Sequence, residues 1–273
     1  MVKVKVKDVE FSYASVPILK AVCIELAESE MLGVVGPNGA GKSTLIRCID
    51  RILRPQKGSI LLDERDIKEL HLMELAKKMG YIPQSTAQIF PATVFDTVLM
   101  GRRPHLGWRS SETDTEKVLE ILQMMNIEDL AMRDINELSG GQQQKVFIAR
   151  ALTQEPEVLL LDEPTSNLDI RHQLEVMDII KNIVWDKRIS AIMAIHDLNL
   201  ASRYADRIVM MSHGTIFSAG DPASALTPEN IEYVYGVEVK VSTYDGKPYI
   251  VPVRPVRHNG DEKKAKRAHS RVA

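Results

Sequence analysis

A glycine-rich string at residues 36–43 constrains the fold of this 273-residue chain more than any other feature of its sequence. It reads Gly-Pro-Asn-Gly-Ala-Gly-Lys-Ser and follows a short, wholly apolar segment at residues 31–35. Residues 42–52 have a helical pattern, so a strand, a loop and a helix are predicted in that order. Glycines allow backbone N–H groups to converge on an anion at the positive end of a helix. The pattern therefore predicts a phosphate-binding loop within an α/β fold.

Each residue of this loop is a candidate ligand of a nucleoside triphosphate. We expect Lys42 to reach the β- and γ-phosphates, the Ser43 hydroxyl to bind Mg²⁺, and Thr44 to contact the α-phosphate. The backbone of the loop is expected to surround the phosphates. The predicted nucleotide-binding residues are Gly36, Pro37, Asn38, Gly39, Ala40, Gly41, Lys42, Ser43 and Thr44.

The rest of the chain predicts a parallel sheet with helices between its strands. Apolar segments at residues 158–161, 190–195 and 208–211 are typical of buried parallel strands, with helices predicted at 171–184 and 198–204 between them. Residues 2–9 alternate apolar and charged side chains, as a half-buried strand does, and could pair with residues 22–27. The expected fold is α/β with an antiparallel start.

Three further regions do not follow this pattern of parallel strands with helices between them. Between about residues 85 and 156 the pattern is helical, most clearly at 112–125 and 142–154, which predicts an inserted helical subdomain. A last helix is expected at 226–235 and a weak strand pair at 237–253, around the turn Asp245-Gly246. The polar, basic segment from Asn259 onward predicts a solvated, disordered tail, with a membrane or partner contact as the alternative. We expect a main domain at 1–236 and an extension at 237–273.

A pair of carboxylates ends the apolar strand at residues 158–161. Asp162 and Glu163 are adjacent, so on a strand they would point to opposite sides and serve different purposes. We expect Asp162 to be a magnesium ligand, directly or through water, and Glu163 to polarise an attacking water as a general base.

A second anion-binding helix start is predicted by Leu-Ser-Gly-Gly-Gln at residues 138–142. A γ-phosphate already held by Lys42 needs no second cradle from the same chain. The simplest arrangement is a dimer, in which Ser139, Gly140, Gly141 and Gln142 form the second anion-binding loop.

These motifs, in this order and spacing, resemble the nucleotide-binding subunits of ABC transporters over about residues 3–235. The resemblance implies a P-loop NTPase nucleotide-binding domain with a RecA-like core, an N-terminal antiparallel β subdomain and an inserted α-helical subdomain. It also implies that Tyr13 stacks on adenine, that Gln84 senses magnesium and the attacking water, and that His196 contacts the γ-phosphate. In the homodimer that the resemblance implies, one subunit's signature loop (Ser139, Gly140, Gly141 and Gln142) closes on ATP held by the partner subunit. An interface loop between the subunits is also implied, formed by Ser166, Asn167, Leu168 and Asp169. The implied catalytic residues are thus Glu163, His196 and Gln84, with Mg²⁺ bound by Ser43, Gln84 and Asp162.

Two longer strings have a narrower resemblance. Val-Leu-Met-Gly-Arg-Arg-Pro-His at 98–105 and Glu-Pro-Thr-Ser-Asn-Leu-Asp-Ile-Arg-His-Gln at 163–173 look like the ATPases of importers for iron(III)-siderophores, haem and vitamin B12. That family implies two ATPase subunits, two integral membrane permease subunits whose cytoplasmic helices dock near Gln84, and an external solute-binding protein.

Bulk properties limit the alternatives. The formal net charge of −2 argues against nucleic-acid binding, and two cysteines, Cys23 and Cys48, without a CxxC spacing fit a reducing cytoplasm. No apolar run approaches the roughly 20 residues that span a bilayer. We therefore expect a peripheral protein on the cytoplasmic face of the cell membrane. A soluble ABC ATPase, for example in iron-sulfur assembly, and the ATPase of an exporter share the same core motifs and stay open.

Overall fold

A computed structural model describes residues 2–84, 91–105, 111–166 and 168–256. The strands within these ranges are β1 (Val2–Tyr13), β2 (Val16–Ala27), β3 (Met31–Val35), β4 (Lys57–Leu62), β5 (Arg65–Asp66), β6 (Met79–Ile82), β7 (Val158–Asp162), β8 (Ser190–Ala194), β9 (Arg207–Ser212), β10 (Thr215–Gly220), β11 (Val237–Tyr244) and β12 (Lys247–Pro255). The helices are α1 (Lys42–Ile49), α2 (Leu72–Lys78), α3 (Val94–Leu99), α4 (Glu112–Met124), α5 (Gly140–Leu152), α6 (Ile170–Lys187), α7 (Leu198–Tyr204), α8 (Pro222–Ala225) and α9 (Pro228–Tyr235). Short 3-10 turns lie at Met100–Arg102, Glu128–Leu130 and Ile135–Glu137.

The N-terminal strands form an antiparallel sheet in the order β2-β1-β4-β5. Val6 pairs with Ile24 on one side and with Ile60 on the other, and all three side chains are buried on one face. The alternation of apolar and charged residues in β1 thus marks a half-buried strand, as predicted.

The central sheet has the order β10-β9-β3-β8-β7-β6, with β10 antiparallel to β9 and the other neighbours parallel. Every residue of β3, β7 and β8 is buried, which explains their continuous apolar sequences. Because strand side chains alternate, Leu159 and Leu161 belong to one hydrophobic cluster, while Val158 and Leu160 belong to another. The first cluster includes α5 and α6, and the second includes α1 and the N-terminal sheet. This parallel sheet brings the carboxyl ends of β3, β7 and β8 to one edge.

The predicted elements are confirmed with shifted ends. Helix α5 begins at Gly140, earlier than the predicted 142, because Ser139 caps it. The helix predicted at 226–235 is α9, which begins at Pro228 because Thr227 caps it. The strands β4, β5, β6 and β10 and the helices α2 and α8 were not predicted.

The inserted region contributes α3, α4 and α5 between β6 and β7. Its extent at about 85–156 and the division at residue 236 stay predictions. Val239 of β11 and Ile250 of β12 belong to the same cluster as α7, so the hairpin of the extension packs on the main domain. The tail predicted from Asn259 lies outside the described residues.

Candidate active site

The phosphate-binding loop is shaped by backbone that only glycine accommodates easily. Gly36 has φ +151°, and a Cβ there would lie 2.4 Å from the carbonyl oxygen of Met211. Gly41, with φ +103°, is the N-cap of α1, and no side chain caps the helix at that position. The N–H groups that begin α1 are therefore available to an anion.

Lys42 begins α1 and is held inside the loop. Its side-chain amine donates hydrogen bonds to the carbonyl oxygens of Gly36 at 2.8 Å and Pro37 at 3.1 Å. Burial lowers the pKa of Lys42, and the carboxylates of Glu163 and Asp162 oppose that effect. Phosphate oxygens would be stronger, charge-assisted acceptors than these two carbonyls.

Asp162 joins the loop to the end of β7. The Ser43 hydroxyl donates a 2.6 Å hydrogen bond to Asp162 Oδ1, and the Tyr81 hydroxyl approaches Oδ2 at 3.4 Å. The Arg47 guanidinium lies 3.7 Å from Oδ2, and the Asp162 side chain is fully buried. Sequence reasoning missed Arg47 and Tyr81. Arg47 could have been found, because it lies four residues after Ser43 on the same face of α1.

This arrangement fits a magnesium ion at Ser43 and Asp162. A hydroxyl and a carboxylate are the oxygen donors that Mg²⁺ prefers, and it needs few of them because it retains several waters. The third predicted ligand, Gln84, directs its side-chain amide NH₂ to Glu163.

Glu163 meets the two other predicted catalytic residues. Gln84 Nε2 donates to Glu163 Oε2, and His196 Nε2 contacts Oε1. The carboxylate is almost fully buried, whereas the His196 side chain is 42% exposed. The Glu163 backbone has φ +54°, and its N–H donates to the Ala194 carbonyl at 3.1 Å. Glu163 therefore leaves the direction of β7, and its carboxylate meets Gln84 and His196, which follow β6 and β8, instead of Ser43.

The interface loop continues directly from this carboxylate. The Ser166 hydroxyl donates to the Glu163 carbonyl at 2.9 Å. Asp169 caps α6 by accepting from the His172 backbone N–H at 2.9 Å, and it also contacts the His172 ring at 2.9 Å. Leu168 is partly buried against the core. Asn167 lies outside the described residues.

The signature residues form the capped start of α5. The Ser139 hydroxyl accepts from the Gln142 backbone N–H at 3.4 Å, and Gln142 Oε1 accepts from the Ser139 N–H at 3.0 Å. The His172 ring packs on Gly141 so closely that a Cβ there would lie 2.6 Å from its Cδ2 atom. A Cβ on Gly140 would lie 3.9 Å from Leu168. The start of α5 thus packs on α6 through Gly141 and His172, and Leu168 of the interface loop lies nearby.

Tyr13 ends β1 and is 46% exposed. Its ring meets Phe11 edge to face, with centroids 4.8 Å apart and an interplanar angle of 85°. An exposed ring fixed by one aromatic neighbour suits the predicted stacking on a base.

The loop, the buried Asp162 and the Glu163 cluster define a P-loop nucleotide hydrolase. A protein-family model described as ABC transporter matches residues 19–166. The chain is 50% identical over 248 residues to an uncharacterized ABC transporter ATP-binding protein of Methanocaldococcus jannaschii, which covers 91% of this chain and 97% of that protein. The chain therefore belongs to the ATP-binding proteins of ABC transporters and is an ABC-type ATPase.

Other relatives have more specific names. A cobalamin import ATP-binding protein of Halobacterium salinarum is 38% identical, over 86% of this chain and 59% of that longer protein. A petrobactin import ATP-binding protein of Bacillus anthracis is 36% identical, over 87% of this chain and 88% of that protein.

A solved structure of a bacterial ABC transporter cassette has the same fold and is dimeric. It has a TM-score of 0.71 and 30% identity, covering 80% of this chain and 98% of that chain. Across the ranges that the structure describes, none of the helices has the length and apolar character needed to cross a membrane.

Proposed function

We propose that this chain is the ATP-binding subunit of an ABC importer, and that two copies hydrolyse ATP as a head-to-tail dimer. The observation that carries the hydrolytic part is the Glu163 carboxylate in contact with both Gln84 and His196. A general base must lie within hydrogen-bond reach of the water whose proton it accepts. Gln84 and His196 would hold the Glu163 carboxylate in the orientation that this requires.

We infer the dimer because the chain has two separate anion-binding helix starts. The loop at Lys42 and the signature loop at Ser139 are both helix starts that suit an anion, and each is proposed to hold one side of the same ATP from different chains. ATP binding would close the dimer, and removal of the γ-phosphate would reopen it. Mg²⁺ bound by Ser43 and Asp162, with Gln84 close by, would neutralise charge on the β- and γ-phosphates.

Import is supported by the relatives named for cobalamin and petrobactin import, which match most of this chain. We propose an iron(III)-siderophore, haem or cobalamin type substrate. Two integral membrane permease subunits and an external solute-binding protein would complete the transporter, with this chain bound peripherally on the cytoplasmic side.

Co-purification followed by reconstitution tests the proposal. A polytopic membrane subunit should be recovered with the tagged chain, whereas recovery with soluble scaffold proteins alone would contradict a transport role. ATPase activity of the reconstituted complex should then rise with ferric siderophores, haem or cobalamin supplied with the solute-binding protein. Transport of a solute out of the cell by that complex would contradict import.

A further inference from the structure

Tyr235 carries a buried polar group that none of the predicted motifs includes. It is the last residue of α9, and its hydroxyl oxygen is buried without a hydrogen-bond partner among the described residues. Burial raises the pKa of this hydroxyl, so the group stays neutral and can both donate and accept a hydrogen bond. A buried hydroxyl without a partner destabilises a folded chain, so its presence needs an explanation.

The Tyr235 side chain lies next to the start of the phosphate-binding loop. Its ring packs against the hydrophobic cluster that contains Ile195 and Val35, the last residue of β3. Gly36 follows directly and opens the loop. The Gly36 N–H faces the Tyr235 hydroxyl and lowers its pKa against the effect of burial, but the two groups are not in hydrogen-bond geometry. A small displacement of the first residue of the loop would complete the bond.

Gly36 can be contacted here only through its backbone. The residue is buried, and a Cβ on it would lie 2.4 Å from the carbonyl oxygen of Met211. Its own carbonyl oxygen accepts the 2.8 Å hydrogen bond of the Lys42 amine. A hydrogen bond to the Gly36 N–H would therefore fix the residue against which the phosphate-binding lysine is held.

The C-terminal hairpin holds Tyr235 in position. Gly236, the C-cap of α9, has φ +66° and joins the helix to β11. The N–H of Val256, just after β12, donates to the Gly236 carbonyl at 2.7 Å. Val239 and Ile250 of the hairpin belong to the cluster on which the Tyr235 ring packs. The hairpin is thus connected to the phosphate-binding loop through Tyr235.

We propose that Tyr235 is a positioning residue of the ATP site. The phosphate-binding loop binds ATP in the position in which the Gly36 N–H donates to the Tyr235 hydroxyl, so the C-terminal hairpin contributes to ATP affinity. Because the bond forms in only one position of the loop, its free energy favours that position. Tyr235 acts on binding through Gly36, and cleavage of the γ-phosphate is left to Glu163.

Tyr235→Phe tests the role of the hydroxyl, because it removes that group and keeps the ring. The dissociation constant for ATP should rise about three- to tenfold, which corresponds to the loss of one neutral hydrogen bond. The KM for ATP should rise by a similar factor with kcat unchanged, because the bond contributes to binding alone. Tyr233→Phe is the matched control and should change neither constant, since its ring is 69% exposed and stacks on Phe217.

Thermal unfolding separates this role from a purely structural one. Without nucleotide, Tyr235→Phe should unfold at the same temperature as the unaltered chain or at a higher one, because it removes a buried hydroxyl without a partner. Weaker ATP binding together with a lower unfolding temperature would show that Tyr235 only stabilises α9, and would overturn the inference. An unchanged dissociation constant, or a lower kcat at unchanged KM, would overturn it as well.

Hydrogen exchange at the Gly36 amide tests the bond itself. With saturating ATP, this amide should exchange at least about fivefold faster in Tyr235→Phe than in the unaltered chain. The Gly41 amide, in the same loop, should exchange equally in both and serves as the internal control. Equal exchange at Gly36 in the two chains would overturn the inference.

Discussion

The Ser43 hydroxyl donates a 2.6 Å hydrogen bond to the Asp162 carboxylate, across 119 residues of sequence. The bond exists because β3 and β7 both pair with β8 in parallel and so end at the same edge of the sheet. The phosphate-binding loop after β3 and the carboxylate at the end of β7 are thereby brought into one site.

Ser43→Ala should raise the Mg²⁺ concentration that half-saturates ATP hydrolysis by about tenfold or more, because it removes one of two adjacent oxygen donors. The measurement is a magnesium titration at fixed ATP, with Ser242→Ala in the exposed hairpin as the control. An unchanged magnesium dependence would show that Ser43 is not a ligand.

Glu163→Gln should retain ATP binding and lose about 10²–10⁴ of turnover, since an amide cannot accept the proton of the attacking water. Binding is measured directly with ATP, and turnover by phosphate release. Hydrolysis at the unaltered rate by this variant, in a proven dimer, would contradict the assignment of the base.

Gly141→Ala should destabilise the isolated chain by about 1–3 kcal/mol, because the new Cβ would overlap the His172 ring. Gly140→Ala is the matched control, since its Cβ has ordinary contact distances. The free energy of unfolding in denaturant measures both.

His172→Ala should relieve the cost of Gly141→Ala. The double variant should show a coupling of at least about 1 kcal/mol between the two positions. Additive effects would mean that the contact between Gly141 and His172 does not determine how α5 packs on α6.

Asp50 should make the stability of the isolated chain fall as pH rises. Its pKa increases from 3.8 to about 7 on folding, so the folded state binds more protons than the unfolded state within that window. Tyr81 and Arg150 line the same pocket as Asp50, but desolvation is the cause of the increase in the pKa of Asp50. Asp50→Asn should therefore melt above the unaltered chain at pH 8, by about 2–4 °C for each ~1 kcal/mol recovered, and this advantage should shrink as the pH falls from about 7 toward 3.8. Parallel melting profiles from pH 5 to pH 8 would contradict this.

Most of the central sheet and the binding loops could be predicted from the sequence. Buried parallel strands are continuous apolar segments, and the helix starts that bind anions are rich in glycine. They could not predict β6, whose sequence Met-Gly-Tyr-Ile is short and mixed in character. Missing β6 meant missing Tyr81 and its approach to Asp162. The contact of His172 with Gly141 was equally hidden, since it depends on how α6 packs against α5. Asp50 has no motif, and only the packing around it makes its charge unusual.

The central claim is that one copy of this chain holds two half-sites. Sedimentation of Glu163→Gln with ATP and Mg²⁺, together with the bound ATP per chain, tests it most directly. A dimer with two ATP is expected. The double variant with Lys42→Ala should neither bind ATP nor dimerise, whereas that with Ser139→Arg should bind ATP but stay monomeric. The claim would be contradicted if Glu163→Gln were saturated with ATP and still monomeric. It would also be contradicted if the double variant with Ser139→Arg no longer bound ATP as a monomer.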